Sequence, residues 1–228
     1  MILALAAAIA AQAPAAVCPD LVTPQAFVCR ALQSSKAGDP EAAASAFEQA
    51  ASAQTSDEVE KARMWAAAGN MWIAANQPGK AALALDKALA GAGLQAEQRG
   101  EALLDRARAA ESQNDLRTAR SKVNEAARSI SEDPFLWYFS AALAIREGDA
   151  VTARNAINKA LTLEPNNPTI LFEAGHVYHF AGDEAAARSY WSRAAAADPN
   201  GKSGQAAREA LALLSKPANV QSEPAPTK

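Results

Sequence analysis

Apolar residues in this chain do not alternate as they would along a half-buried strand. They fall on a ladder that repeats. Gly38-Asp39, Gly148-Asp149 and Gly182-Asp183 each open it. Five places after the glycine stands a small residue: Ala43, Ala153, Ala187. Four further on stands a bulky one: Phe47, Ile157, Trp191. Three beyond that comes alanine again: Ala50, Ala160, Ala194. Spacings of three and four put these side chains on one face of a helix. Pro165 and Pro199 close the last two copies, which lie 34 residues apart. A fixed period of that length predicts an array of identical supersecondary units. Stretches rich in Val, Ile and Thr with strand alternation are absent.

The unit at 168–201 shows what each position does. Leu171, Ala174, Gly175 and Tyr178 form one helix face, followed by Gly182-Asp183, Ala187, Trp191, Ala194 and Pro199. Gly175 and Ala187 are small where two helices would cross, and Tyr178 and Trp191 fill the space around that crossing. Gly182 suits a left-handed helix end, Asp183 a cap for the second helix, and Pro168 a first turn. This resembles the tetratricopeptide repeat (TPR) family, with its W-x-x-L-G-x-x-Y, A-x-x-x-F and P positions. Stepping back gives 134–167, with Trp137, Ala141, Gly148 and Ile157. Next comes 100–133, with Leu103, Ala107, Val123 and Asn114 in place of glycine. At 62–95, Trp65, Ala68, Gly69 and Trp72 match the first helix, and Ala81, Leu85 and Ala88 the second. At 24–57 stand Phe27, Ala31, Gly38, Ala43 and Phe47. The two steps flanking 62–95 are each four residues longer than the others. Gly91-Ala92-Gly93 absorbs part of one. Thr55-Ser56-Asp57-Glu58 predicts an early helix start at the other. The resemblance implies an all-α, right-handed superhelix of five helix-turn-helix repeats. Residues 202–216, with Ala207, Leu211 and Leu214 on one face, predict the capping helix that a solenoid end requires. The Pro-rich, polar segment 217–228 predicts disorder.

The amino terminus differs from the rest. Met1 to Ala16 carries no charged side chain, and its apolar run is too short to span a bilayer. Ala13-Pro14-Ala15 fits a signal-peptide cleavage site, so 1–15 reads as a signal removed on export, with 16–23 as a short N-terminal segment. The expected location is the periplasm. There Cys18 and Cys29, the two cysteines of the chain, are candidates for a disulfide; two free thiols are the alternative.

Composition adds little to the choice of partner. The net charge of −3 over 228 residues carries no basic stripe for nucleic acid. No GxSxG elbow, P-loop, HExxH or CxxC occurs. The two histidines, His176 and His179, share a helix face. A metal there would need a third ligand, and only Glu173 is near in sequence, so the expectation is no metal, no cofactor and no catalysis. The resemblance implies a concave groove lined by positions 2, 5, 9, 12 and 13 of each unit. The N-terminal part of that groove is small and polar, with Asn70 and Arg63 on one face but without the further bases of a carboxylate clamp. The C-terminal part offers Phe135, Tyr138, Ala142, Ile145, Phe172, His176, His179 and Phe180. Nine of the 13 aromatics fall between Phe135 and Trp191, and Phe135, Tyr138, Phe172 and Phe180 are not required by the repeat. An exposed apolar patch of this kind marks an interaction site. The expected occupant is a segment of another protein; the chain's own N-terminal segment or a second copy would also cover it. The function expected is a non-catalytic scaffold or adaptor of the cell envelope. A self-associating structural component or an accessory subunit of an envelope enzyme complex is the alternative.

Overall fold

The computed structural model describes residues 17–215. The predicted signal peptide and the whole of the predicted tail lie outside that range. Eleven α-helices follow one another among the described residues: α1 (Pro24–Lys36), α2 (Pro40–Ala53), α3 (Glu58–Ala74), α4 (Pro78–Leu89), α5 (Ala96–Ser112), α6 (Leu116–Ala126), α7 (Pro134–Glu147), α8 (Ala150–Leu163), α9 (Pro168–Phe180), α10 (Glu184–Ala197) and α11 (Lys202–Leu214). Odd and even helices pair as hairpins, and each hairpin packs on the next. The result is an all-α solenoid.

Each hairpin turn carries one residue with positive φ: Gly38, Asn76, Asn114, Gly148 and Gly182. A left-handed residue ends the first helix of the pair, and glycine and asparagine take that conformation at least cost. The next residue starts the second helix. Asp39, Asp115, Asp149 and Asp183 accept hydrogen bonds from backbone N–H groups of the first turn, at 2.9 to 3.1 Å. Gln77 makes no such bond, and Pro78 at the first helical position stands in for it.

Small residues set the closeness of each hairpin. Ala43, Ala81, Ala119, Ala153 and Ala187 are fully buried, as are Ala50, Ala88, Ala126, Ala160 and Ala194. The crossing position of the first helix is alanine or glycine in every unit. Where the second helix offers Phe47, Val123 or Ile157, the first presents Ala31, Ala107 or Ala141. Where it offers Leu85 or Trp191, the first presents glycine. A Cβ on Gly69 would collide with Leu85, and one on Gly175 with the Trp191 ring. The four extra residues in each of the first two steps became one more helical turn. α3 and α5 have 17 residues each, against 13 or 14 for the other odd helices. Asp57 caps α3 through the N–H groups of Val59 and Glu60.

Curvature follows from which helices meet. α3 touches α5, α7 touches α9, and α9 touches α11, while successive even helices keep apart. The odd helices therefore line the inner surface. α5 and α7 meet mainly through long side chains, Arg146 with Glu111 and Arg108 with Phe135, and that seam separates an α3–α5 panel from an α7–α9–α11 panel. α11 occupies the place of a further odd helix. Thr169 and Ser203, one period apart, share a 3.0 Å hydrogen bond, and Ala207, Leu211 and Leu214 close the last core cluster. No described helix is long and apolar enough to cross a membrane.

Candidate functional site

The α3–α5 panel is polar, and the charges at its centre are paired within it; Glu101 is the exception, its pKa raised first by burial and then by the like charges of Glu97, Asp105 and Asp133. Asn70 on α3 donates to Asp105 on α5 at 2.8 Å. Arg108, one turn further along α5, donates to the same carboxylate at 2.8 Å. Arg63 pairs with Glu60 at 2.6 Å and reaches Gln98. At the seam between the panels Arg146 of α7 binds the Glu111 carboxylate and the Asn114 side chain. The Arg108 guanidinium lies 5.6 Å from the centre of the Phe135 ring. Asn70 and Arg63 thus spend their donors on this chain's own carboxylates, which leaves no clamp for a free C-terminal carboxylate.

The α7–α9 panel is aromatic. Phe135 and Phe180 are 42% and 40% exposed, large fractions for phenylalanine. Tyr138 and Ile145 are half-buried against the core below α7, and Phe172 against the core below α9. Ala142 is partly covered. The Phe135 and Tyr138 rings sit 5.5 Å apart, and Phe172 meets His176 edge-on at 4.5 Å. Phe135 and Phe180 occupy opposite ends of parallel register, about 16 Å apart along the axis at 1.5 Å rise per residue. The sequence-based patch is therefore an extended strip with two bare ends and a tethered middle.

Trp191 sets the floor under α9. It is buried, and its indole N–H donates to the Phe172 carbonyl at 3.1 Å. The rings of His176 and His179 lie 5.4 and 5.8 Å from it. Burial pushes the His176 pKa down, and the neighbouring His179 adds to this. His179 Nδ1 lies 2.8 Å from Glu184 Oε1, across the turn to α10. The two rings do not converge on a common point with a third ligand. No group of three or more His, Cys, Asp or Glu side chains able to hold a metal occurs among the described residues.

Glu173 is the residue that reading the groove positions missed. It sits one place after Phe172, where Asp105 sits on α5, and so faces the preceding odd helix. The counterpart of Asn70 is here Ala142, and the counterpart of Arg108 is His176. Glu173 consequently has no hydrogen-bond or ion-pair partner among the described residues. Burial raises its pKa to about 7. The Tyr138 phenol is also raised, first by burial and then by the Glu173 carboxylate beside it. Arg154 Nε is the one fully buried side-chain polar atom without a partner among the described residues, so the Glu173 oxygens still open onto the groove. The repeat register carried the signal: the sixth position of each odd helix points at its predecessor.

The N-terminal segment lies at the other end. Cys18 and Cys29 are joined by a disulfide, with Cα atoms 5.7 Å apart. Arg30 donates to the carbonyls of Pro19 and Leu21 at 3.0 Å. Residues 17–23 are thereby fastened to α1 and do not cover α7 or α9.

No family model matches the chain, and no curated protein matches it. Solved structures do. PilW, a type IV pilus biogenesis factor, superposes with a TM-score of 0.68 at 18% identity, covering 80% of this chain and 81% of that one. The pilF protein of Pseudomonas aeruginosa gives 0.66 at 18%, covering 85% and 83%. YrrB, a TPR protein with an unusual peptide-binding site, gives 0.61 at 17%, covering 82% and 91%. At such identities the likeness establishes the fold alone: a TPR-like α-solenoid.

Proposed function

We propose that this chain is a non-catalytic adaptor of the cell envelope, built from five TPR units, that holds an extended segment of another protein along α7 and α9. The observation that carries the reading is the contrast on the inner surface. One panel pairs Asn70, Asp105, Arg108 and Arg63 internally, while the other keeps Phe135 and Phe180 exposed. Bare rings on a solenoid's inner face favour a bound segment over solvent. The peptide-binding site attributed to YrrB belongs to the same class of activity. Export to the periplasm is part of the proposal. Its supports are the charge-free residues before Ala13-Pro14-Ala15 and the disulfide at the start of the array.

The experiment is site-specific photocrosslinking in cells. A benzoylphenylalanine at position 135 or 180 is expected to give an adduct of discrete mass. The same residue at Val151, exposed on α8, is expected to give none. Equal labelling from Val151, or none from the groove, would sink the reading. An adduct of twice the chain mass would move it to self-association. Intact mass of the cellular protein tests export: the mature chain should begin at Ala16.

A further inference from the structure

The carboxylate of Glu173 is set among aromatic groups with nothing on this chain to neutralise it. An unpaired carboxylate in a half-buried site is unfavourable until a cation arrives. Beside it lies a recess of about 470 Å³ lined by Asp133, Phe135, Tyr138, Glu164, Thr169 and Ile170, among others. Glu173 does not itself line the recess; it lies one turn beyond Thr169 on the same face of α9, and its charge acts on the Tyr138 phenol, so the carboxylate neighbours the recess on its Tyr138 and Thr169 side. Its charged lining is wholly acidic. Phe135 N–H donates to Asp133 at 2.8 Å, and Asn167 donates to Glu164 at 2.6 Å. The guanidinium nearest to Phe135, that of Arg108, is already bound to Asp105. Acidic lining, aromatic walls and an unpaired carboxylate alongside complement a planar cation.

We propose that the recess between α7 and α9 receives an arginine side chain of the bound segment, with Glu173 as its counter-ion and Phe135 and Tyr138 as its walls. This deepens the partner-holding role proposed above and rests on it. Arginine fits better than lysine because its guanidinium stacks on rings and forks onto a carboxylate. At the seam between the panels the same arrangement is filled from within: Arg108 of α5 lies on the Asp105 carboxylate and 5.6 Å from the centre of the Phe135 ring of α7.

The test uses the mature full chain and pools of nonapeptides with random flanks and a fixed centre of arginine, lysine, citrulline or glutamate. Retention on immobilised protein is measured at pH 8. The arginine pool should be retained on the order of tenfold more than the citrulline pool, as expected for a desolvated charge pair. Glu173→Gln, isosteric and uncharged, should remove that preference. Ala142→Asn supplies Glu173 with the internal donor that Asn70 gives Asp105, and should weaken the preference without touching the carboxylate. Circular dichroism and melting confirm that both variants fold. Equal retention of arginine and citrulline, or a preference that survives Glu173→Gln, overturns the proposal, as does retention of no pool. If crosslinks from Phe135 persist in any of those cases, the adaptor reading stands and only the arginine site falls. If the preference holds and no crosslink forms in cells, the reverse is true.

Discussion

The two panels of the inner surface share a backbone plan and differ in where their polar groups find partners. In α3–α5 the central charges have internal counterparts: Asp105 with Asn70 and Arg108, and Arg63 with Glu60. In α7–α9 the same register holds Ala142, Glu173 and His176, and the carboxylate is left alone. One panel has its central charges paired as folded, leaving only the exposed Glu101 among like charges, and the other has an unpaired carboxylate beneath its rings. A surface that has satisfied its own hydrogen bonds gains little from a partner, because each new bond must replace one already made. A surface with bare rings and an unpaired charge gains on both counts. The difference places binding in the second panel on physical grounds that side-chain type alone does not supply.

The largest effect is expected from the floor of the aromatic panel. Trp191→Ala removes a buried ring and its bond to the Phe172 carbonyl, and should cost about 3–5 kcal/mol by denaturant unfolding. Solenoid units contact only their neighbours. Hydrogen exchange should therefore show lost protection over α9 to α11 while α3 to α6 stay protected. Uniform loss across the chain would mean that the panels are not separable. Gly175→Ala probes the same contact from the opposite side. The added methyl would meet the Trp191 ring, so overpacking of roughly 1–3 kcal/mol should exceed the gain of about 1 kcal/mol in helix propensity.

Much of this plan is legible in the sequence. Gly38, Asn114, Gly148 and Gly182 marked left-handed turns because an aspartate follows each and states the cap. Asn76 adopts the same conformation but is followed by Gln77-Pro78, which carries no side-chain cap signal. The early start of α3 was announced by Thr55 to Glu58. The extra turn of α5 was not, because Gln98 receives the Gln95 N–H and a pair of glutamines does not advertise a helix start as Ser or Thr with Glu does. The aromatic residues were found by counting groove positions, yet Tyr138 and Phe172 proved tethered to the core, since exposure depends on neighbours that no single helix reveals. Glu173 escaped for a related reason. Its meaning lies in a missing donor on the preceding helix, which appears only when the two panels are laid over one another.

The middle predictions reverse sign between the panels. Asp105→Ala strands Asn70 and Arg108, and should destabilise by about 1–2 kcal/mol with peptide retention unchanged. Glu173→Gln should stabilise at pH 8. Its folded-state pKa, about 7, lies above the ordinary 4.5. The folded chain therefore holds the proton more tightly, and stability falls as pH rises from about 4.5 to about 7, then stays low. Removing the charge should recover on the order of 2 kcal/mol at pH 8 and close to nothing at pH 4.5. Of the groups facing Glu173, Tyr138 on α7 is raised and stays uncharged, and Arg108 beyond it is held by Asp105. His176 on α9 is lowered, first by burial, and so runs the other way: it adds stability as pH rises towards its ordinary 6.5. The quantity compared is therefore the difference between parent and Glu173→Gln at each pH, in which the His176 contribution is common to both. Melts across that range check the claim. A Glu173→Gln variant less stable than the parent at pH 8 would show that the carboxylate has a partner after all.

The smallest effect is the most selective. Arg63 and Glu60 form an ion pair three residues apart on α3, with both side chains more than a third exposed. Such pairs contribute little, because solvent screens the attraction and two long side chains must be held still. Arg63→Ala should cost less than about 0.5 kcal/mol and leave peptide retention and the groove crosslinks as they were. Yet Arg63 is a position that the repeat register assigns to the inner surface, as surely as it assigns Phe135. If removing it weakens binding as much as removing Phe135, the partner runs the full length of the solenoid and the polar panel is not closed. If binding is indifferent to it, a groove position counts as a binding position only where the chain has left it unsatisfied.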